Sequence, residues 1–274
     1  MDLTVQEKID RVKEFRPIDD VFFEVLAENR EVCEEILQTI LEDKNLRVID
    51  NFTQRSERNI YGRSVRLDAL CILGDGTKCN IEVQRSDNDN HLKRARFNAS
   101  SVTVKDSNTG DDFNKVIDLY IVYISEFDFL SEGKTIYHID KTIRETGTVV
   151  DDGLHEIFVN TVVDDNSDIA ALMSCFTEKQ VDNPKFPKLS SEVKRLKTTE
   201  GGASAVCEIM ERYKEEAVKE AEERGRIYEL IKTARKYKIE EKDLYHDLMS
   251  DFQLTKEEAY EEIKKYDESL LQKV

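Results

Sequence analysis

The sequence predicts an α/β domain with the element order α, β, β, β, α, β, followed by a charged helical tail. Two changes of hydrophobic period and one abrupt change of composition point to it: a helical period up to residue 42, strand-like alternation from Leu46 to Gln84, and helix formers with dense charge beyond about Ser190. The chain has 274 residues, 39% hydrophobic and 36% charged, with 10 Gly and 3 Pro, which excludes collagen-like and low-complexity classes. The expected division is a first domain at 1–189 and a helical region at 190–274.

Residues 18–42 read as one helix. Pro17 precedes it, Asp19 and Asp20 stand at its start, and Val21, Phe22, Val25, Leu26, Cys33, Ile36, Leu37, Ile40 and Leu41 recur at helical spacing. The pattern then shortens to strands at Leu46–Gln54, Arg63–Leu73 and Thr77–Gln84. Gly74-Asp75-Gly76 joins the last two as a hairpin. Asp89–Val104 forms a basic helix, and Val116–Ser125 is apolar enough for the middle of a sheet. Thr135–Ile139 and His155–Val163 read as further strands and Ser167–Phe176 as a short helix, before Pro184 and Pro187 interrupt the chain. In the tail, Glu240–Ser250 and Lys256–Lys273 read as helices, the second capped by Thr255 with Glu258. Phe22, Phe23, Tyr120, Tyr123, Phe127 and Phe129 fall in apolar segments and are expected in the core.

The apolar runs are a few residues long, far short of the roughly 20 that cross a bilayer. The N-terminus is acidic and has no apolar signal core, so a cytoplasmic protein is expected. Cys33, Cys71, Cys79, Cys175 and Cys207 form no CxxC pair, and His91, His138, His155 and His246 form no HExxH, which argues against a zinc site and against disulfides.

The formal net charge is -17, which argues against a phosphate-rich partner until its distribution is considered. Residues 47–105 carry eleven basic and seven acidic side chains, so one basic segment lies inside an acidic protein. Within it, Asp68 and Glu82 occupy strands that ought to be buried. In a hairpin centred on Asp75 the two acids face each other about 5 Å apart. Adjacent buried carboxylates need a raised pKa, a paired arginine or a cation. Arg63, Arg66 or Arg85 is the alternative partner for Asp68. Oxygen ligands suit Mg²⁺, with Mn²⁺ as a substitute. Gln84 shares the face of Glu82 and can orient a water or a phosphate oxygen.

Asp20-Val21-Phe22-Phe23, Gly62 to Asp68 (GRSVRLD), Asp75-Gly76 followed by Asn80 to Gln84 (NIEVQ), and the helix containing Arg94 together resemble the PD-(D/E)XK nuclease family of transposases, the recombination-promoting nucleases, over about residues 16–190. The resemblance implies a restriction-endonuclease-like αβββαβ core, with a mixed central sheet flanked by helices, and a Mg²⁺-dependent DNA endonuclease. It implies that Asp68 and Glu82 are the signature acids holding the metal, that Gln84 takes the place of the usual lysine, and that Asp20 is an accessory ligand. Arg85 or Arg94 is then expected to supply the missing charge, and Arg85, Lys93, Arg94 and Arg96 to contact DNA. A homodimer through the C-terminal helices would serve double-strand cutting. The alternative is a non-catalytic nucleic-acid-binding or protein-interaction module on the same fold, to which Gln84 and the overall acidity point.

Overall fold

In the computed structural model, which describes residues 3–58, 64–87, 90–110 and 112–271, the predicted core order is present with one more helix in front of it. That first helix, α1 (Val5–Val12), starts at a capping box in which Thr4 and Glu7 exchange bonds. The helix expected over 18–42 is instead two, α2 (Asp20–Leu26) and α3 (Arg30–Ile40). Asn29 makes the break: its backbone is extended and its side chain accepts the Glu31 N–H at 3.0 Å, capping α3. The apolar period continues across the break because both short helices bury their faces in the same core.

The strands are β1 (Val48–Arg58), β2 (Ser64–Leu73), β3 (Lys78–Gln84), β4 (Leu119–Ser125), β5 (Ile136–Ile139), β6 (Lys141–Ile143), β7 (Thr148–Val150) and β8 (Leu154–Asn160). Six form one mixed sheet in the order β1-β2-β3-β4-β8-β5, with β3, β4 and β8 parallel and the other pairings antiparallel. Between β3 and β4 runs α4 (His91–Asp106), the right length for a crossover between parallel strands. The β6–β7 hairpin lies in exposed, turn-like sequence that carried no strand pattern.

At the β2–β3 turn, Leu73 N–H donates to Thr77 O at 2.8 Å, Gly76 adopts φ 91°, and Asp75 accepts the Thr77 N–H. One sheet face, through Ala69, Cys71, Ile81, Val83 and Val122, packs on α2, α3, α5 (Asp168–Thr177) and α6 (Pro187–Thr198). Pro187, expected to interrupt the chain, instead opens α6 at its first turn. The other face, through Leu70, Ile121, Tyr123 and Phe158, packs on Ala95, Ala99 and Val102 of α4. Phe22, Phe23 and Tyr123 are fully buried, and all five cysteines are buried, none in a disulfide.

The chain divides into two compact units, Met1–Ile209 and Met210–Val274. The second has its own apolar core from the later part of α7 (Glu200–Tyr237), α8 (Glu241–Asp251) and α9 (Lys256–Leu271), including Ile231, Leu248 and Ile263. The expected cap is present, Thr255 N–H donating to Glu258 at 2.8 Å. No helix among the described residues is long and apolar enough to cross a membrane.

Candidate active site

The β2–β3 ladder runs from Ile72↔Lys78 to Ala69↔Ile81, the register of a hairpin centred on Asp75. Continued by one step, this register sets Asp68 against Glu82, as the sequence predicts. There the acids replace the ladder. Val83 N–H donates to Asp68 Oδ2 at 2.9 Å, and Asp68 N–H reaches Glu82 Oε1 at 3.4 Å. Both carboxylates therefore belong to one local structure rather than to opposite sides of the sheet.

Glu82 is fully buried under α4, whereas Asp68 is half-buried at the edge of the site. Glu82 Oε1 also accepts from Asn80 Nδ2 at 2.8 Å, and its Oε2 has no hydrogen-bond partner. Burial pushes the Glu82 carboxyl up, opposed by the Asn80 bond and the Arg94 charge. Burial pushes Asp68 up strongly, and the neighbouring Glu82 pushes the same way, against the Val83 N–H bond. Two such acids hold at most one charge comfortably without a cation.

Among the described residues, Arg94 is the basic group that pairs with these acids. Its Nη2 stands 3.8 Å from Glu82 Oε2, and its Nη1 donates to Gln84 Oε1 at 2.8 Å. Gln84 Nε2 in turn donates to Ser86 O at 3.0 Å, so the amide is held at both ends. Asp20, at the start of α2, is exposed at the lip of the site. The protein packed around it pushes its carboxyl up, opposed by Arg94 and Arg85, and its charge adds to the rise at Asp68.

The other predicted contacts are dispersed. Arg85 is tied at 3.0 Å to the buried Asp19 and at 3.5 Å to Glu126, which also bind Arg16. Lys93 and Arg96 are exposed on another side of α4, where they line a groove of about 610 Å³ with Leu92, Lys141, Leu154 and Glu156. They do not join Arg94 beside the acids, because its side chain turns toward β3 and theirs turn toward β5 and β8. As for the alternative partners of Asp68, Arg63 and the side chain of Arg66 lie outside the described residues, and Arg85 is engaged elsewhere.

Among the described residues, no three His, Cys, Asp or Glu side chains converge closely enough to form a ready cation cage. The donor set nonetheless fits a hard divalent ion: two adjacent acids with raised pKa, one bearing a buried oxygen that accepts no hydrogen bond and has only the Arg94 guanidinium at 3.8 Å to offset its charge. Three features carried no obvious sequence signal. The Arg16–Asp19–Arg85–Glu126 network anchors the start of α2. His91 joins Tyr123 Oη and Asp87 Oδ1, each at 2.9 Å, pinning the first turn of α4. Asn80 and Asn98 are buried amides between β3 and α4. Only Asn80 could have been suspected, as a polar residue in a strand covered on both faces.

A family model described as PD-(D/E)XK nuclease family transposase matches residues 18–163, more than half of the chain. The six-strand mixed sheet with its flanking helices is the PD-(D/E)XK fold that this match entails. No curated protein and no solved structure matches.

Proposed function

Because this chain belongs to the PD-(D/E)XK nuclease family of transposases, we propose that it is a metal-dependent endonuclease that hydrolyses phosphodiester bonds of DNA in recombination or transposition. The observation that carries this reading is Glu82 Oε2, a buried carboxylate oxygen without a hydrogen-bond partner beside a second acid of raised pKa. Such an arrangement is costly in an apolar interior unless a cation completes it.

Asp68 and Glu82 would hold Mg²⁺ or Mn²⁺, with Asp20 as an accessory oxygen donor at the lip. When bound, the ion supplies Lewis acidity toward the scissile phosphate and lowers the pKa of a water molecule. Arg94, anchored on Gln84, would stabilise the negative charge that builds on the phosphate oxygens. It provides the positive charge that a lysine at position 84 would otherwise bring, while Gln84 fixes the guanidinium and orients the attacking water. Arg85, Lys93 and Arg96 would contact the backbone of DNA at a distance from the reacting phosphate, and the acidic remainder would confine binding to this basic segment. A homodimer through the C-terminal helices would supply the second site for a double-strand cut.

The test is nicking of supercoiled plasmid with Mg²⁺ or Mn²⁺ by the wild type, Asp68→Ala and Glu82→Ala. Cleavage by the wild type and its loss in both variants is expected. Equal activity in all three eliminates the assignment, and salt-sensitive DNA binding without cleavage favours the non-catalytic reading.

A further inference from the structure

We propose that Asn80 is a positioning residue for Glu82, its buried amide occupying one carboxylate oxygen so that the other is left for a cation. This rests on the metal-binding reading above and deepens it.

Asn80 and Glu82 are two residues apart on β3 and share the face covered by α4. Asn80 is fully buried, and its register neighbours are Leu70 on β2 and Ile121 on β4. An apolar side chain is what this position calls for in packing terms. The amide there is only half satisfied: Nδ2 donates to Glu82 Oε1 at 2.8 Å, and Oδ1 has no hydrogen-bond partner. An orphaned buried carbonyl costs stability, so the amide is poorly explained by folding. Its one hydrogen bond goes to the carboxylate that the site needs.

The effect on Glu82 is geometric. With Oε1 held by Asn80 and by the Asp68 N–H, the carboxylate cannot rotate freely, and Oε2, which accepts no hydrogen bond, is left facing the Arg94 guanidinium at 3.8 Å, too long to occupy it as a ligand would. A ligand oxygen held in this way binds a cation without first losing rotamer freedom. Asn98 of α4, also buried, faces the same carboxyl and helps hold its pKa down.

The experiment measures Mn²⁺ affinity of the full chain by electron paramagnetic resonance, with no nucleic acid present, alongside the melting temperature of the metal-free protein. Wild type, Asn80→Leu and Asp68→Ala are compared. Asn80→Leu is expected to bind Mn²⁺ about ten- to a hundred-fold more weakly, with a melting temperature no lower than wild type. Unchanged affinity in Asn80→Leu overturns the role of Asn80 while leaving the metal reading in place. A fall in both affinity and melting temperature marks Asn80 as a packing residue and also overturns it. If the wild type binds Mn²⁺ no better than Asp68→Ala, the metal reading fails, and this inference fails with it.

Discussion

Arg94 donates a hydrogen bond to Gln84 Oε1 at 2.8 Å, and this bond joins α4 to the end of β3 beside Asp68 and Glu82. A lysine at position 84 would carry its own charge into the site on a flexible stem. Here glutamine accepts from an arginine one element away, and the charge arrives as a planar fork whose direction is set by the amide. The same guanidinium is 3.8 Å from Glu82 Oε2, so it partly offsets the acid charge that burial penalises.

Removing that charge should slow cleavage without preventing the fold. Arg94→Ala is expected to lower the nicking rate about a hundredfold, the usual scale for one transition-state donor. Arg94→Lys should retain more activity, because it keeps the charge but loses the fork. Initial rates under saturating metal check both, and a wild-type rate in Arg94→Ala would remove Arg94 from the site.

The raised carboxyls make a signed prediction for stability. A carboxyl whose folded pKa lies above its unfolded value binds its proton more tightly in the native state, so stability falls as pH rises from the unfolded pKa through the folded one. For Asp68 this decline begins near its ordinary value of 3.8 and continues well above it. Asp68→Asn keeps an acceptor for the Val83 N–H and removes the titration. In chelator, the variant should melt above wild type at neutral pH, with the gap closing toward pH 4. Parallel melting curves across that range would contradict it.

Divalent cations should reverse the order. An ion that binds only the folded protein stabilises it by about 2.7 kcal/mol at one hundred times its dissociation constant. Mg²⁺ or Mn²⁺ is therefore expected to raise the melting temperature of the wild type and to leave Asp68→Asn nearly unmoved. Calorimetry with and without the ion measures the difference.

Lys93 and Arg96 line a groove apart from the acids, so their contribution should be to affinity rather than rate. Lys93→Ala with Arg96→Ala is expected to weaken DNA binding at low salt and to reduce the slope of log affinity against log salt by about 2. Filter binding at several salt concentrations tests this, and an unchanged slope would mean that the groove does not meet phosphate.

Lys197 offers a prediction remote from the site. Buried beneath Phe22, its Nζ donates to the backbone carbonyls of Lys13, Phe15 and Lys179, and burial lowers its pKa to about 8. The unfolded chain then holds this proton more tightly between pH 8 and 10.5, so the group contributes stability that rises across that window. Lys197→Met should lack that rise and, at neutral pH, leave three carbonyls without their donor, at a cost of about 1–3 kcal/mol. Urea unfolding of both proteins at pH 8 and pH 10 gives the comparison.

Local chemistry was sufficient for much of the fold. Gly74-Asp75-Gly76 admits one tight turn, and once the turn is centred on Asp75 the alternation of β2 and β3 leaves one register that buries Ala69, Cys71 and Ile81 together. The opposition of Asp68 and Glu82 follows from that count. The last two helices were legible for the same reason, α9 through its Thr255 cap and both through their period, which act within a few residues. The break at Asn29 was not read, because the apolar period runs unbroken through it and masks a local cap, the Asn29 side chain accepting the Glu31 N–H.

What the linear order of residues determined was therefore which acids meet; what surrounds them was decided in three dimensions. The rotation of α4 about its axis turns Arg94 toward Gln84 and sends Lys93 and Arg96 to another groove, and α4 carries polar residues on several sides, so its period does not set that rotation. The capture of Arg85 by Asp19 and Glu126 joins residues 66 and 41 positions apart. Contacts of that span depend on the close packing of whole elements, where side-chain volume and burial outweigh the preferences of any one segment.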